Sequence, residues 1–427
     1  MAEYIAEGSE TTIIDEAKAR RLIDEMLAQL GPLNRVLILP PDITRYHSWA
    51  GKLTQLLYQS LDSGAHVEIM PTIGTHFPMS DSEIEKMYSG IPRDRFRDHD
   101  WRHGLARLGV VPGEKIHELS GGRLDYPINI EVNPLLVEGD WDAILSVGQL
   151  VPHEVIGIAN HAKNVFVGVG GADTINKTHY LGAVVGMESI MGRAANPVRA
   201  VFEYASEHFA DELPITYLLT VRGRDSEAGL VTRGLYAGND TECFYRGAKL
   251  CQQANLNLLD EPLPKVVVYL EPEEFKSTWL GNKAVYRTRM AIADDGELIV
   301  LAPGVREFGE DPEIDRLIRK YGYRGIPKTL ANVAENPELA QNLSAAAHLM
   351  HGSSEDRFKI TYCPGHLSQE EIEGVNFAYA DLATMAERYN PETLTDGINQ
   401  LPDGEEIFYI SNPGQGLWGL RSLFEGT

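Results

Sequence analysis

Apolar runs of strand length alternate along this chain with stretches whose apolar residues recur at helical spacing, and that alternation limits the fold more than any other feature. Arg35-Val-Leu-Ile-Leu39 reads as a buried strand. It runs into Pro40-Pro-Asp-Ile-Thr-Arg45, after which Leu53, Leu56, Leu57 and Leu61 mark one face of a helix ending near Gly64. The unit recurs: His66-Val-Glu-Ile-Met70 is strand-like, Gly74-Thr-His-Phe-Pro78 is a turn, and Ser80 opens a helix over Asp81 to Met87. Upstream, Asp15 is placed to cap a helix carrying Leu22, Ile23, Met26, Leu27 and Leu30, which Gly31-Pro32 stops. Repeated strand–turn–helix units imply an α/β fold with mostly parallel sheets covered by helices.

The 427 residues exceed what one hydrophobic core usually organises, so two α/β domains with a cleft between them are expected. Asn257-Leu-Leu-Asp-Glu-Pro-Leu-Pro264 interrupts a helical region, and Lys265-Val-Val-Val-Tyr-Leu270 begins a fresh strand. The boundary falls there, giving an N-terminal domain over 1–260 and a C-terminal domain over 261–404. Glu297–Leu301 and Arg357–Tyr362 supply further strands of the second domain. Glu405–Ile410 either joins them or crosses back, in which case 405–427 completes the first domain.

Composition removes several classes of function. With 38 Lys and Arg against 62 Asp and Glu, the formal charge of −24 repels nucleic acid and anionic membrane, so an anionic ligand must be met by local Arg or Lys. The opening MAEYIAEGSETTIIDEAKARR has no apolar core after a basic start. No window reaches the roughly eighteen apolar residues of a spanning helix. Cys243, Cys251 and Cys363 form no CxxC pair and are odd in number, which argues against a disulfide framework or thiolate zinc site and suits a cytoplasmic location.

Chemistry-bearing residues gather where strands end. Asp42-x-Thr44-Arg45 lies at a strand-to-helix turn, where backbone N–H groups favour an anion and Arg45 offers a fork for carboxylate or phosphate. Asp98-His99-Asp100 sets an imidazole between carboxylates that can orient it, or is a solvated loop; His76 and His103 are similar candidates. The strand-like run Asp142–Val147 leads to Pro152-His153, which places His153 at a sheet's C-terminal edge, as an acid–base group or a histidine satisfied beneath a turn. Lys163 precedes a second strand-like run, Val165–Gly171, and is a nucleophile or covalent anchor if desolvated, otherwise a surface lysine. His179 stands on a helix after Asn176-Lys-Thr178, as a metal ligand or an ordinary helical histidine.

In order, Asp42-x-Thr44-Arg45, Gly74-Thr-His76, His99-Asp100, Pro152-His153, Lys163 ten positions later and His179 sixteen after that resemble the nickel-dependent lactate racemase family and its 2-hydroxyacid racemase and epimerase relatives. The resemblance extends from Asp42 to about residue 415. It implies two α/β domains, the first catalytic and cofactor-binding, and a nickel-pincer nucleotide of the pyridinium-3,5-bisthiocarboxylic acid mononucleotide type. It further implies that Lys163 holds this nucleotide covalently, that His179 ligates nickel, and that His99 and His153 are the acid–base pair. Asp42, Thr44 and Arg45 would bind cofactor, with Arg45, Lys283 and Trp279 on the substrate. The implied reaction is inversion at C2 of a 2-hydroxy acid by hydride transfer, and proteins that build or deliver the cofactor are implied partners.

Departures from the family pattern bear on the substrate. The anchoring lysine follows Gly157-Ile-Ala-Asn-His-Ala162 where the family has Gly-Phe-Ser-Gly-Gly-x, Phe77 replaces an arginine, and Trp279-Leu-Gly-Asn-Lys283 replaces Tyr-Gln-x-x-Lys. With Tyr46, His47, Asn160 and His161 as added hydrogen-bonding groups, the expected substrate is larger or more polar than lactate, a sugar acid or a dicarboxylate. Two other classes suit parts of the pattern. One is a mononuclear zinc or manganese lyase or hydrolase with His99, His153 and His179 as ligands; the other is a non-catalytic small-acid binding protein.

Overall fold

The computed structural model describes residues 2–62 and 64–424. It divides into two compact units, one comprising the chain to Thr178 with Met191–Asn255, the other His179–Ile190 with the chain from Leu256 onward. In the first unit six strands lie in the order Glu3–Gly8, Gly229–Gly238, Ile215–Asp225, Ala143–Leu150, Arg35–Leu39, His66–Ile69. Pairing is parallel from Ile215–Asp225 to His66–Ile69 and antiparallel at the Glu3–Gly8 edge. Asp15 caps the helix Glu16–Leu30 by accepting from Lys18 N at 2.8 Å, and Ser80 and Glu83 form a reciprocal capping box on Asp81–Tyr88. Ile23 and Met26 of the first helix, and Leu53 and Leu57 of Ala50–Leu61, pack with Val36, Ile38 and Val67 of the sheet in one core.

Strand order fixes where a site can form. From Arg35–Leu39 the chain proceeds to His66–Ile69 on one side, whereas Ala143–Leu150 lies on the other side and leads to Ile215–Asp225. The C-terminal ends of Arg35–Leu39 and Ala143–Leu150 therefore form a topological switch point, where open α/β sheets leave a crevice.

The second unit has its own six-stranded sheet in the order Ala378–Tyr379, Lys359–Pro364, Ile292–Ala302, Leu263–Tyr269, Glu406–Ile410, Gly397–Gln400. All pairs are parallel except the last. Among the described residues no helix is long and apolar enough to cross a membrane.

Three segments differ from the sequence reading. Val165–Gly171 is not a strand: Ala162–Phe166 is a short helix, and the N–H groups of Val167 and Gly168 both donate to Lys163 O, at 2.9 and 3.2 Å. The apolar run is buried in either conformation, so burial alone leaves its period ambiguous. Glu406–Ile410 pairs with Leu263–Tyr269, so it does not cross back to the first sheet. His179–Ile190 groups with the second unit, where Arg289 holds Glu188 at 2.7 Å and Arg357 reaches it at 3.4 Å.

Candidate functional site

Beyond Leu39 the chain turns through Asp42, whose carboxylate caps the 3-10 turn Ile43–Ser48. Its Oδ1 accepts from Thr44 N at 3.1 Å and from the Thr44 hydroxyl, and its Oδ2 accepts from His76 Nδ1 at 2.6 Å. Tyr88 donates its hydroxyl to Pro41 O and steadies the turn. Burial would raise the Asp42 pKa, but the hydrogen bonds from His76 and Thr44 and the nearby Arg45 charge outweigh it and hold the group below its ordinary value. An ionised carboxylate only accepts, so His76 Nδ1 carries the proton of this bond, and among the described residues no hydrogen bond engages Nε2. Arg45 is exposed, and its guanidinium makes only 3.4 Å contacts to Thr44, which leaves its fork for an anion.

The neighbouring strand end carries His153 and Lys163. Pro152–His153 pairs with Gly157–Ile158 in a short hairpin, and half-buried His153 accepts from Val155 N at its Nδ1, 3.1 Å away. Asn160 and His161 then adopt left-handed φ angles of 76° and 60° before the Lys163 helix begins. Two buried side chains hold this strained passage. Arg199, with no exposed surface, donates to Asn160 O at 3.2 Å and Ile158 O at 2.6 Å, its guanidinium 3.9 Å from the centre of the Phe244 ring. Asn160 lies against Gly148, where a Cβ would stand 1.7 Å from the Asn160 amide nitrogen.

Asn164 ties the Lys163 helix to the switch point. Its amide donates to Leu39 O at 3.1 Å and Ser146 Oγ at 3.0 Å, one on each strand of the pair, and accepts from Thr72 Oγ1 at 2.9 Å. Asn164→Ala would leave the buried Leu39 carbonyl and Thr72 hydroxyl without this partner, so a loss of about 1–3 kcal/mol is expected in urea unfolding.

Lys163 itself is half-buried, and among the described residues no hydrogen bond or ion pair engages its amine. Desolvation first, then the Arg45 and Arg199 charges, push its pKa down to about 8 against the opposing pull of Glu154 and Asp42. About a tenth of this amine is therefore an uncharged nucleophile at pH 7, far more than for a lysine of ordinary pKa.

Other candidates fall elsewhere. His99 is 3 % exposed, and its partners are not the flanking carboxylates: Nε2 donates to Gly170 O at 3.0 Å and Nδ1 accepts from Asn133 Nδ2 at 3.2 Å. Burial lowers its pKa, and with both nitrogens engaged it braces the segment before His179 and has no lone pair to offer a proton or metal. Asp100 instead accepts from His103 Nδ1 at 2.9 Å. His161 is buried, donates to Asp240 O at 3.0 Å and lies against Tyr217 with ring centres 3.7 Å apart, so it packs the core and offers nothing to a substrate.

His179 is half-buried on the helix Ala172–Val185. In the second unit, half-buried Trp279 stacks on His348 with ring centres 4.4 Å apart, and half-buried Lys283 has its Nζ 5.6 Å from the Phe275 ring centre. Among the described residues no three His, Cys, Asp or Glu side chains gather to hold a metal, which removes support from the three-histidine zinc or manganese reading.

Beside His76 lies a cavity of about 290 Å³, with Ile73, Phe77, Pro78 and Trp101 among its walls. Sequence reasoning ranked His76 below His99; the signal that could have raised it is its place on the turn after a parallel strand, at the same sheet end as Asp42. Asn164 and Arg199 give no such signal.

Fold and site define an α/β protein whose first sheet gathers Asp42, His76, His153 and Lys163 around a topological switch point. Residues 1–192 match the family model of the lactate racemase N-terminal domain. The fold is also that of two solved structures. One is a protein from Thermotoga maritima, at 25% identity and TM-score 0.76 over 97% of this chain and 100% of that one. The other is the lactate racemase apoprotein from Thermoanaerobacterium thermosaccharolyticum, at 17% identity and TM-score 0.70 over 97% of this chain and 93% of that one. No curated protein matches by sequence.

Proposed function

We propose that this chain is a racemase or epimerase of 2-hydroxy acids working with a lysine-tethered nickel-pincer nucleotide. The observation that carries the reading is the amine of Lys163, engaged by no other group among the described residues and lowered to a pKa of about 8 at the switch point. The lactate racemase N-terminal domain supports the reaction class. The residues suit the cofactor's covalent anchor, which needs an unengaged nucleophilic amine such as that of Lys163. When bound, the cofactor supplies a hydride acceptor for C2.

The chain's own side chains do the rest. Arg45 takes the substrate carboxylate in its fork. His76 accepts the hydroxyl proton at Nε2 while Asp42 holds Nδ1–H and stabilises the imidazolium. His153, at the adjoining strand end, is the second proton carrier. His76 takes the role that the family resemblance implies for His99, because both His99 nitrogens are engaged whereas His76 bonds Asp42 through Nδ1 alone.

The test uses protein loaded with nickel and cofactor and a 2-hydroxy acid deuterated at C2. The expected result is inversion with the deuterium retained, and a Lys163 peptide bearing the nucleotide's mass. Full activity with an unmodified Lys163 peptide overturns the reading.

A further inference from the structure

We propose that the cavity beside His76 receives the C3 side chain of the substrate and that this side chain is an aromatic ring; the proposal rests on the 2-hydroxy acid reading above. Phe77 forms one wall and is 92 % exposed, more than any other exposed large hydrophobic residue among those described. Its neighbour His76 is the proposed proton carrier, so a group in this cavity sits next to the reacting carbon. Trp101 forms another wall, with the Arg102 guanidinium stacked 3.8 Å from its ring centre, and Ile73 and Pro78 complete an apolar lining. Exposed rings of this kind gain free energy when a ligand ring covers them, by dispersion and by release of water.

The remaining lining selects against the polar alternatives. Asp98 and Asp100 also line the cavity against one cation, Arg102, whose guanidinium is stacked on Trp101, so the local charge gives a second carboxylate no net attraction. A polyhydroxy chain would find polar partners along Thr75 and Asp98–Asp100 but would lose hydration where it crosses Phe77, Trp101 and Ile73, the surface that a ring covers best. A volume of about 290 Å³ admits one ring and excludes a nucleotide or peptide. The Phe77 that replaces a family arginine thus trades a cation for an aryl surface.

The test measures affinities of the full chain for enantiopure phenyllactate, lactate, malate and gluconate by titration calorimetry, and kcat/KM for the same acids with the loaded enzyme. Phenyllactate is expected to bind at least about ten-fold more tightly than lactate, and Phe77→Ala and Trp101→Ala are each expected to cut that ratio by about ten-fold. Phe77 packs against so little protein that its removal leaves the fold intact, which a thermal melt checks. A preference for malate or gluconate, or an unaltered ratio in Phe77→Ala, overturns the proposal. Inversion of lactate with no preference for phenyllactate overturns the aromatic pocket and leaves the racemase reading standing. Phe77-dependent phenyllactate binding with no inversion of any acid supports the pocket and overturns the reaction.

Discussion

Lys163→Met is expected to abolish turnover by the loaded protein, a loss of at least about a thousand-fold, because a thioether cannot form the covalent link proposed for the amine. The fold survives, since no hydrogen bond or ion pair among the described residues depends on the amine. Stability even rises at neutral pH. The Lys163 pKa falls from 10.5 to about 8 on folding, so below pH 8 the folded state carries a desolvated charge that the unfolded chain bears at no cost. That penalty is relieved as pH climbs from 8 to 10.5, so the variant's advantage is largest below pH 8 and vanishes above 10.5. Urea unfolding of both proteins at pH 7 and pH 10.5 reads the difference. Acylation of the Lys163 amine by a small reagent, followed by peptide mass spectrometry, is expected to be half-maximal near pH 8. A midpoint in the ordinary lysine range, or an active Lys163→Met protein, contradicts the assignment.

Asp42→Asn costs about 10²–10⁴ in kcat with little change in fold. The amide keeps the shape of the carboxylate but loses its charge, so the imidazolium formed when His76 takes a proton is no longer stabilised. The amide can also donate to Nδ1, which turns the ring to the tautomer with its proton on Nε2, the nitrogen meant to accept. His76→Gln should match this loss, and the double variant should be little worse than either single one, because the pair acts as a unit. Measured kcat for the three proteins decides it. Should His76→Gln stay active while His99→Gln loses turnover without losing stability, the proton would have to pass through His99.

How much was legible in the sequence can be seen residue by residue. Asp42, Arg45 and His153 stood out as candidates because each lies on a turn after a run of strand period, and open α/β sheets place chemistry at such ends. Lys163 and His179 came from their spacing to His153 and from the family resemblance. The difference between His76 and His99 was not legible: both are histidines in polar loops, and the flanking Asp98 and Asp100 pointed to His99, whose two nitrogens the fold engages with Gly170 and Asn133. Asn160 and His161 looked like ligand groups because polar residues near a lysine suggest a site, yet they are held beneath Arg199 and Tyr217. A fully buried arginine has no sequence signature, since arginine is an ordinary surface residue.

The amino-acid sequence by itself determined the starts of the first helices, the strands Arg35–Leu39 and His66–Ile69, and that acidic charge leaves any anion to a few local cations. These follow from short-range rules of period, capping and composition that a window of residues contains. Tertiary structure alone decided which imidazole keeps a free nitrogen, what lowers the lysine pKa and what lines the cavity. Those depend on partners far along the chain: Asp42 lies 34 positions from His76, Gly170 lies 71 from His99 and Asn160 lies 39 from Arg199. Hydrogen bonding and desolvation act through space over a few ångströms, and only the folded sheet brings such positions within that range.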